Sequence, residues 1–185
     1  MGLAGIALDA SSRMPIVLLR DLSGRRQVPI WIDQAQAHNI MSGVQENPPL
    51  RPLSHDLMAA LLEAGGLRLK RVVIHAIEDS TFRAVLQLQR QVKETETPMQ
   101  LPAAMEIDAR PSDAIALAVR TGSCIWMLEE VVASASIPVD EEADAEDQDA
   151  FRRFLDDISP AAIVRHLRSR DGQNERKEDG SGLEE

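Results

Sequence analysis

The segment from Ile107 to Gly122 constrains the fold of this chain more than any other, because its apolar periodicity changes at one point. Residues 105–109 alternate apolar and charged side chains, which predicts a strand. After Pro111, which suits the first turn of a helix but not a central strand, the apolar residues follow helical spacing. Gly122 suits the position just after the last turn. The segment therefore predicts a strand, a sharp corner and a helix, and the apolar run at 124–127 predicts a further strand.

The corner carries four polar residues, Asp108, Arg110, Ser112 and Asp113. Ser112 or Asp113 can accept hydrogen bonds from the free N–H groups of the first helical turn, which is the ordinary role of such residues at the start of a helix. Alternatively, charges of both signs held at the mouth of a helix form part of a binding or catalytic site. The residues of this corner leave both interpretations open.

A second corner repeats the pattern. Arg51-Pro52 is followed by Ser54-His55-Asp56 and by an apolar helix that ends at Gly65. Both corners place Arg and Asp at a helix N-terminus, where the helix dipole and the free N–H groups favour anions. If the corners meet, they form one polar cluster of Arg51, His55, Asp56, Arg110 and Asp113. Such a cluster can bind a phosphate through its arginines and a divalent metal through its carboxylates. The alternative is an internal Arg–Asp network that holds the two corners together.

The remaining periodicities predict an α+β fold, with a mixed, largely antiparallel, curved sheet, helices packed against it and short C-terminal helices. Strands are expected at residues 3–8, 15–19, 27–32, 67–77 and 82–89, and helices at residues 33–43, 54–64 and 128–135. We expect Asp33 and Ser54 to cap their helices. The helix that follows Ser54 has an apolar stripe, which should face the core: Leu57, Met58, Leu61 and Leu62. Cys124 lies in an apolar run and is expected to be a buried thiol.

The distribution of charge predicts four regions. Residues 140–149 hold seven acids and no base, so they are expected to form a solvated linker between a main domain at 1–139 and a helical extension at 150–170. Residues 171–185 are polar and are expected to be a disordered tail. The net charge of −10 therefore lies mostly outside the main domain, which has 13 bases and 15 acids. A nearly neutral domain argues against a broad basic surface for duplex DNA.

Other compositional features narrow the class of protein. The chain has five aromatic residues, too few for the aromatic platform of an RNA-binding sheet. Its single cysteine excludes a disulfide framework. No apolar run approaches the length of a membrane span, and the N-terminus lacks the pattern of a signal peptide, so we expect a cytoplasmic protein that does not associate with membranes.

Three blocks of the sequence resemble the signature blocks of the bifunctional nuclease family. They are Val28-Pro29-Ile30-Trp31-Ile32, Arg51-Pro52-Leu53-Ser54-His55-Asp56-Leu57, and the corner with its helix, from Ile107 to Arg120. The resemblance covers roughly residues 3 to 138 and implies a compact α+β domain that commonly self-associates, with a dimer favoured. It also implies degradation of both DNA and RNA. The family usually has Gly and then Glu-Ala after the first block, where this chain has Asp33 and Gln36-Ala37. An amide cannot replace a glutamate that binds metal or acts as a base.

If the chain is a nuclease, its corners supply the residues for phosphodiester hydrolysis. We predict that Arg51, Arg110 and Ser112 bind the substrate phosphate, because arginine neutralises and clamps phosphate oxygens. His55, Asp56 and Asp113 are the predicted catalytic residues, and Asp56, Asp108 and Asp113 the predicted ligands of Mg²⁺ or Mn²⁺. No organic cofactor is expected, and binding to nucleic acid should be weak and non-specific. The rival interpretation is a non-catalytic regulatory or assembly protein, in which the corners are structural.

Overall fold

The structure, a computed structural model, describes residues 1–9, 11–45, 49–91, 104–139 and 141–158, without the side chains of 141–144, 147 and 155–158. Its elements, in chain order, are β1 (Gly2–Leu8), β2 (Pro15–Arg20), β3 (Arg26–Trp31), α1 (Gln34–Val44), α2 (Ser54–Ala64), β4 (Leu67–Glu78), β5 (Thr81–Arg90), β6 (Ala104–Ala109), α3 (Pro111–Thr121), β7 (Cys124–Met127), α4 (Glu129–Ala135), β8 (Ile137–Pro138) and α5 (Glu141–Ile158). The predicted α+β class is confirmed. No helix of the described residues is long and apolar enough to cross a membrane.

The strands form two four-stranded sheets, where the sequence predicted a single curved one. The first has the order β1-β2-β3-β8 and is antiparallel, and the second has the order β6-β5-β4-β7. Its β4–β7 pair is parallel, because α3 supplies the crossover that a parallel connection needs. β8 is only two residues long and pairs with Arg26 and Gln27, so no strand of the described residues pairs with the other end of β3 on that side.

Helix α3 is the centre of the core. Its residues from Ala114 to Ala118 are all buried, and the helix packs against α1, α2 and the second sheet. The alternating alanines leave room for close approach of these neighbours, while Ile115 and Leu117 belong to a hydrophobic core that includes residues of both sheets. Gly122 ends the helix in the left-handed conformation, with φ of 64°, as the sequence predicted.

The orientation of α2 differs from the prediction. Leu57, Met58 and Leu61 are 56%, 45% and 62% exposed, whereas His55 is buried and Ala59 and Leu62 are half-buried. The helix turns the stripe His55-Ala59-Leu62 towards α3, because the polar contacts of His55 and Asp56 hold its first turn there. The predicted cap is also wrong: the N-cap is Leu53, and its N–H donates to Asp56 Oδ2 at 2.7 Å.

A buried arginine joins the three central helices. The Arg120 side chain is 5% exposed, and its Nε lies 2.5 Å from Asp56 Oδ1 on α2. Its Nη1 donates to the carbonyl of Asn39 on α1 at 2.8 Å and to that of Ala116 at 3.0 Å. Gly43 of α1 packs directly on this guanidinium: a Cβ at Gly43 would lie 2.7 Å from Nη1. We call this arrangement of Arg120, Asp56, Asn39 and Gly43 the helix junction.

Two further expectations are corrected. The residues predicted as a linker, 140–149, contain the start of α5, which runs without a break from Glu141 to Ile158. Acidic residues at a helix N-terminus are favoured by the dipole, and Phe151, only 1% exposed, anchors the helix on β1. Cys124 is exposed, because Ile125 takes the inward position of this strand. The second C-terminal helix and the tail at 171–185 lie outside the described residues, as does the predicted end of the extension at 170.

Gly43→Ala should destabilise the protein, although Gly to Ala within a helix normally stabilises it by up to about 1 kcal/mol. The new methyl group would overlap the Arg120 guanidinium, which cannot move without losing its bonds to Asp56 and Asn39. We expect a loss of about 1–3 kcal/mol in the free energy of unfolding, measured by urea denaturation. Gly2→Ala, where a Cβ would meet nothing within 4 Å, is the control. Stabilisation by Gly43→Ala would show that the junction is loosely packed.

Asp56→Asn should destabilise the protein in a pH-dependent way. Partial burial opposes ionisation of Asp56, but the N–H of Leu53 and the Arg120 guanidinium outweigh it and lower the pKa of this carboxyl below its ordinary value of 3.8. The charged pair therefore stabilises the folded state above about pH 4, and this contribution is lost as the pH falls through the lowered pKa. We expect the variant to lose about 1–3 kcal/mol at pH 7, less than a fully buried pair would, because Asp56 keeps 30% side-chain exposure.

The measurement is the difference in unfolding free energy between wild type and Asp56→Asn at pH 7, 5, 3.5 and 2.5. The difference should be constant at the two higher values and should shrink at the two lower ones. A difference that stays the same down to pH 2.5 would contradict the assignment of this ionisation to the junction.

Candidate functional site

A cavity of about 310 Å³ opens at the corner between β6 and α3. Its walls come from the end of β3, the first turn of α1, the turn between β4 and β5, and the start of α3. The residues with polar or aromatic side chains that line it include Trp31, Gln36, Arg83, Asp108, Arg110 and Ser112. We call this cavity the corner groove. Three of the residues predicted for the site, Asp108, Arg110 and Ser112, therefore lie together.

Arg110 is the fixed cation of the corner groove. Its side chain is 67% exposed, and its Nε donates to Asp113 Oδ2 at 2.6 Å. This hydrogen bond and the charge of Asp113 raise the pKa of Arg110 above its ordinary value. The pairing holds one edge of the guanidinium and leaves its other N–H groups available to an anion.

Asp113 joins the two corners, as the sequence suggested. Its other oxygen, Oδ1, lies 3.3 Å from Nε2 of His55, which is 58 residues away in the chain. His55 is only 4% exposed and is not among the residues that line the groove. A carboxylate accepts, so Nε2 carries the hydrogen, and the buried Nδ1 has no partner among the described residues. The result is a chain of contacts from His55 through Asp113 to Arg110.

Neither Ser112 nor Asp113 caps α3, contrary to the first interpretation of this corner. The N-cap is Arg110, and no side chain bonds to the N–H groups of the first turn within the described residues. Pro111 at the first helical position has no N–H to satisfy. Ser112 is buried at 5% exposure, and Asp113 points to Arg110 and His55. The free N–H groups therefore add to the positive potential at this end of the groove.

The remaining predicted residues lie elsewhere. Asp56 belongs to the helix junction and lines a larger depression of about 810 Å³, together with Arg120, Lys70 and Cys124. Its carboxylate is engaged by Arg120 and by the N–H of Leu53. Arg51 is exposed and is not among the residues that line the corner groove. The two corners meet through the contact of His55 with Asp113, while Asp56 is paired separately with Arg120.

The described residues do not fit a preformed metal centre. No group of three or more His, Cys, Asp or Glu side chains in them is placed to hold a metal ion. Of the three carboxylates predicted as ligands, Asp56 and Asp113 are each paired with an arginine, and Asp108 is the exposed one that faces the corner groove. A resident Mg²⁺ or Mn²⁺ normally has more oxygen ligands than one carboxylate supplies.

Three contributors to this region were not singled out from the sequence. Trp31 lines the corner groove with 53% exposure, and the alternation of Val28, Ile30 and Ile32 towards the core was a signal that it points outward. Arg83 joins the groove from β5, far away in sequence. Nothing in the sequence around Arg120 predicts its contacts with α1 and α2, apart from its position at the end of α3.

Comparison with known proteins agrees with this geometry. The model of the bifunctional nuclease domain matches residues 17–140, a range that includes both corners and the groove. Two uncharacterized proteins of Mycobacterium tuberculosis, from strains CDC 1551 / Oshkosh and H37Rv, are each 36% identical to the chain over 164 residues. The alignment covers 84% of this chain and 92% of each relative. With its three signature blocks assembled around one helix, the chain belongs to the bifunctional nuclease domain family.

Proposed function

We propose that this protein is a non-specific nuclease that hydrolyses phosphodiester bonds of DNA and RNA, with the scissile phosphate in the corner groove. The observation that carries the proposal is Arg110: an exposed guanidinium held by Asp113, at the uncapped N-terminus of α3, on the wall of a cavity. Fixed donors of this kind stabilise the charge that develops on a phosphate in the transition state. Family membership points to the same class of activity.

The corner groove contains a candidate general base in addition to the phosphate-binding Arg110. Asp108 is the carboxylate that lines it, and it can accept the proton of a water molecule that attacks phosphorus. A P–O bond to the water oxygen forms, the ester P–O bond breaks, and the leaving oxygen takes a proton from solvent. His55 and Asp113 are positioning residues in this scheme, because they hold Arg110 without contacting the phosphate. Asp56 acts one step further away, through Arg120.

The proposed divalent ion cannot be assigned to a resident site, and the scheme above has no step that uses one. Assays with Mg²⁺, with Mn²⁺ and with chelator determine whether an ion that arrives with the substrate assists hydrolysis. Arg51 stays a predicted phosphate contact, and Arg51→Ala in the same assay tests it.

Arg110→Ala should reduce cleavage of single- and double-stranded DNA and RNA by about 100-fold or more, the usual cost of removing one donor to a developing oxyanion. The matched control is Arg152→Ala. Arg152 forms a similar pair with Asp149, three residues away on α5, with 71% side-chain exposure, and it should be dispensable. The measurement is initial rate on fluorescent oligonucleotides with purified protein.

Asp113→Asn should slow cleavage as well, by about tenfold to 100-fold, because Arg110 loses the charge that orients it. Asp113→Asn should leave the affinity for substrate less affected than the rate. Cleavage that persists at the wild-type rate in both Arg110→Ala and Asp113→Asn would identify a contaminating nuclease and overturn the proposal.

The exposed face of α2 favours a second function, that of an oligomeric scaffold. Leu57 and Leu61, one helical turn apart, and Met58 beside them form an apolar surface that the fold leaves uncovered. We propose that the same face of a second copy covers it, giving a two-fold dimer, because a single helix stripe is complementary to itself in an antiparallel pair. A regulatory or assembly role would need this surface and not the groove.

Leu57→Glu together with Leu61→Glu should convert the dimer to a monomer, since it would place four charges in the centre of the proposed interface. Sedimentation equilibrium or light scattering measures the mass. Leu22→Glu, on a turn where the side chain is 97% exposed and isolated from α2, is the control and should leave the mass unchanged. A monomeric wild type, or a dimer that survives the double substitution, would eliminate α2 as the interface.

We also propose a cytoplasmic location. Cys124 is exposed as a free thiol, which persists best in a reducing compartment. Cell fractionation tests this, and recovery outside the cytoplasmic fraction would contradict it.

A further inference from the structure

We propose that the corner groove selects unpaired nucleotides, with a base stacked on Trp31, so that single-stranded DNA or RNA is the preferred substrate. This inference rests on the proposed function and specifies its substrate class. It depends on the placement of one tryptophan relative to one arginine, and on a comparison with the second tryptophan of the chain.

Trp31 lies at the open end of β3. β8 pairs with β3 at Arg26 and Gln27, and no strand in the described part of the chain runs beside Trp31 on that side. On the other side Trp31 is paired with Ile16 of β2. The indole is 53% exposed and forms part of the wall of the corner groove. A large apolar ring is thus held by a sheet at the edge of a cavity.

The two tryptophans differ in what stacks on their rings. No aromatic ring or cation of the described residues stacks on Trp31, whereas Trp126, with a similar 55% exposure, carries the Arg71 guanidinium 4.3 Å from its ring centroid. Trp126 is not among the residues that line the groove. Of the two indoles, Trp31 is therefore the one with no stacked cation or ring among the described residues, and it is the one that lies next to the residues proposed for hydrolysis.

Arg110 and Ser112 share this cavity with Trp31. A nucleotide needs a flat apolar contact for its base and a cation for its phosphate, and the groove has both. The volume of about 310 Å³ is at the lower end of the range for ligand pockets, and suits one nucleotide. In a duplex the base faces are already stacked on one another, so an aromatic wall can bind only an unpaired or extruded base.

The charges of the groove imply that stacking contributes a large share of the affinity. Arg110 and Arg83 are its two cations, and each is paired with a carboxylate, Asp113 and Glu78 respectively. If both contact phosphates, the plot of log affinity against log salt concentration should have a slope no steeper than about −1.4, from about −0.7 per phosphate on a single strand. Binding to a duplex through contacts with many phosphates would give a much steeper slope.

Fluorescence separates the two tryptophans, because the chain has no tyrosine and only two Trp residues. Trp126→Phe leaves Trp31 as the only indole, and Trp31→Phe leaves Trp126. The probe is a 12-nucleotide mixed-sequence DNA strand with phosphorothioate linkages, compared with its duplex, in the presence of chelator. Stacking on Trp31 predicts saturable quenching of the Trp126→Phe protein by the single strand and little change in the Trp31→Phe protein.

Affinity is then measured by anisotropy of the labelled strand. Trp31→Leu should bind it about tenfold or more weakly, which is the usual cost of losing one base–aromatic stack. The matched Trp126→Leu should bind within about twofold of wild type, since its ring is covered by Arg71. The duplex should bind wild type at least about tenfold more weakly than the single strand. Equal loss in both variants, or equal affinity for the duplex, would overturn the inference.

The binding and cleavage experiments test the stacking site and the nuclease activity separately, so either proposal can be rejected without the other. Quenching of Trp31 with no cleavage of unmodified DNA or RNA would retain the single-strand site and reject the nuclease. Cleavage that depends on Arg110 without quenching or loss of affinity at Trp31 would retain the nuclease and reject the stacking site. Circular dichroism of each variant confirms that an exposed substitution has left the fold intact.

Discussion

The contact between Arg120 and Asp56 determines the arrangement of the rest of the molecule. A guanidinium that is 5% exposed needs hydrogen-bond acceptors. Arg120 has a carboxylate on α2 for its Nε and a carbonyl on α1 for its Nη1, while its Nη2 has no partner among the described residues. Both partners must approach α3 closely, which is why a glycine stands at the contact on α1. The pair also determines how α2 is rotated. With Asp56 directed to Arg120, His55 is directed to Asp113, and the leucines at 57 and 61 are left outside.

The Arg120–Asp56 and Arg110–Asp113 pairs illustrate how one pattern serves two purposes. In the helix junction the arginine is buried, and its Nε and Nη1 are bonded to protein acceptors. At the corner groove the carboxylate has similar exposure, 31% against 30%, but the arginine is 67% exposed and is committed on one side only. The first pair stabilises packing, because an unpaired buried charge would be costly. The second presents a cation to solvent in a fixed orientation. The sequence left two interpretations of the corners open, an internal network and a binding site. Asp56 belongs to an internal network, and Asp113 holds the arginine of the proposed binding site.

The sequence predicted the elements well and the surfaces less well. Strand and helix periods are local properties, so β1 to β7 and α1 to α4 were located to within a few residues. The rotation of α2 could not be predicted, because its apolar stripe is stronger than the stripe His55-Ala59-Leu62 that it buries. What decides between them is the ion pair with Arg120, 64 residues away. The acidic composition of residues 140–149 predicts a linker, but these residues contain the start of α5, which Phe151 anchors on β1. The alternation of β3 predicts that Trp31 points away from the core. It cannot predict the groove beside Trp31, because four segments that are distant in sequence form it.

Gln36 keeps the structural role that a glutamate would have at the start of α1 but lacks its charge. Its side-chain oxygen accepts from the N–H of Asp33 at 3.0 Å, while Asp33 accepts from the N–H of Gln36 at 2.7 Å, so the pair closes the first turn of α1. A glutamate at this position would form the same capping box. The amide therefore preserves the wall of the groove while removing a negative charge from it, which leaves Asp108 as the carboxylate among the described lining residues. A base or metal ligand at position 36 is thereby lost, while Asp33, where the family usually has Gly, places a negative charge near Arg110. The proposed nucleotide site therefore rests on Trp31 and Arg110, and the proposed hydrolysis rests on Asp108 and not on residue 36.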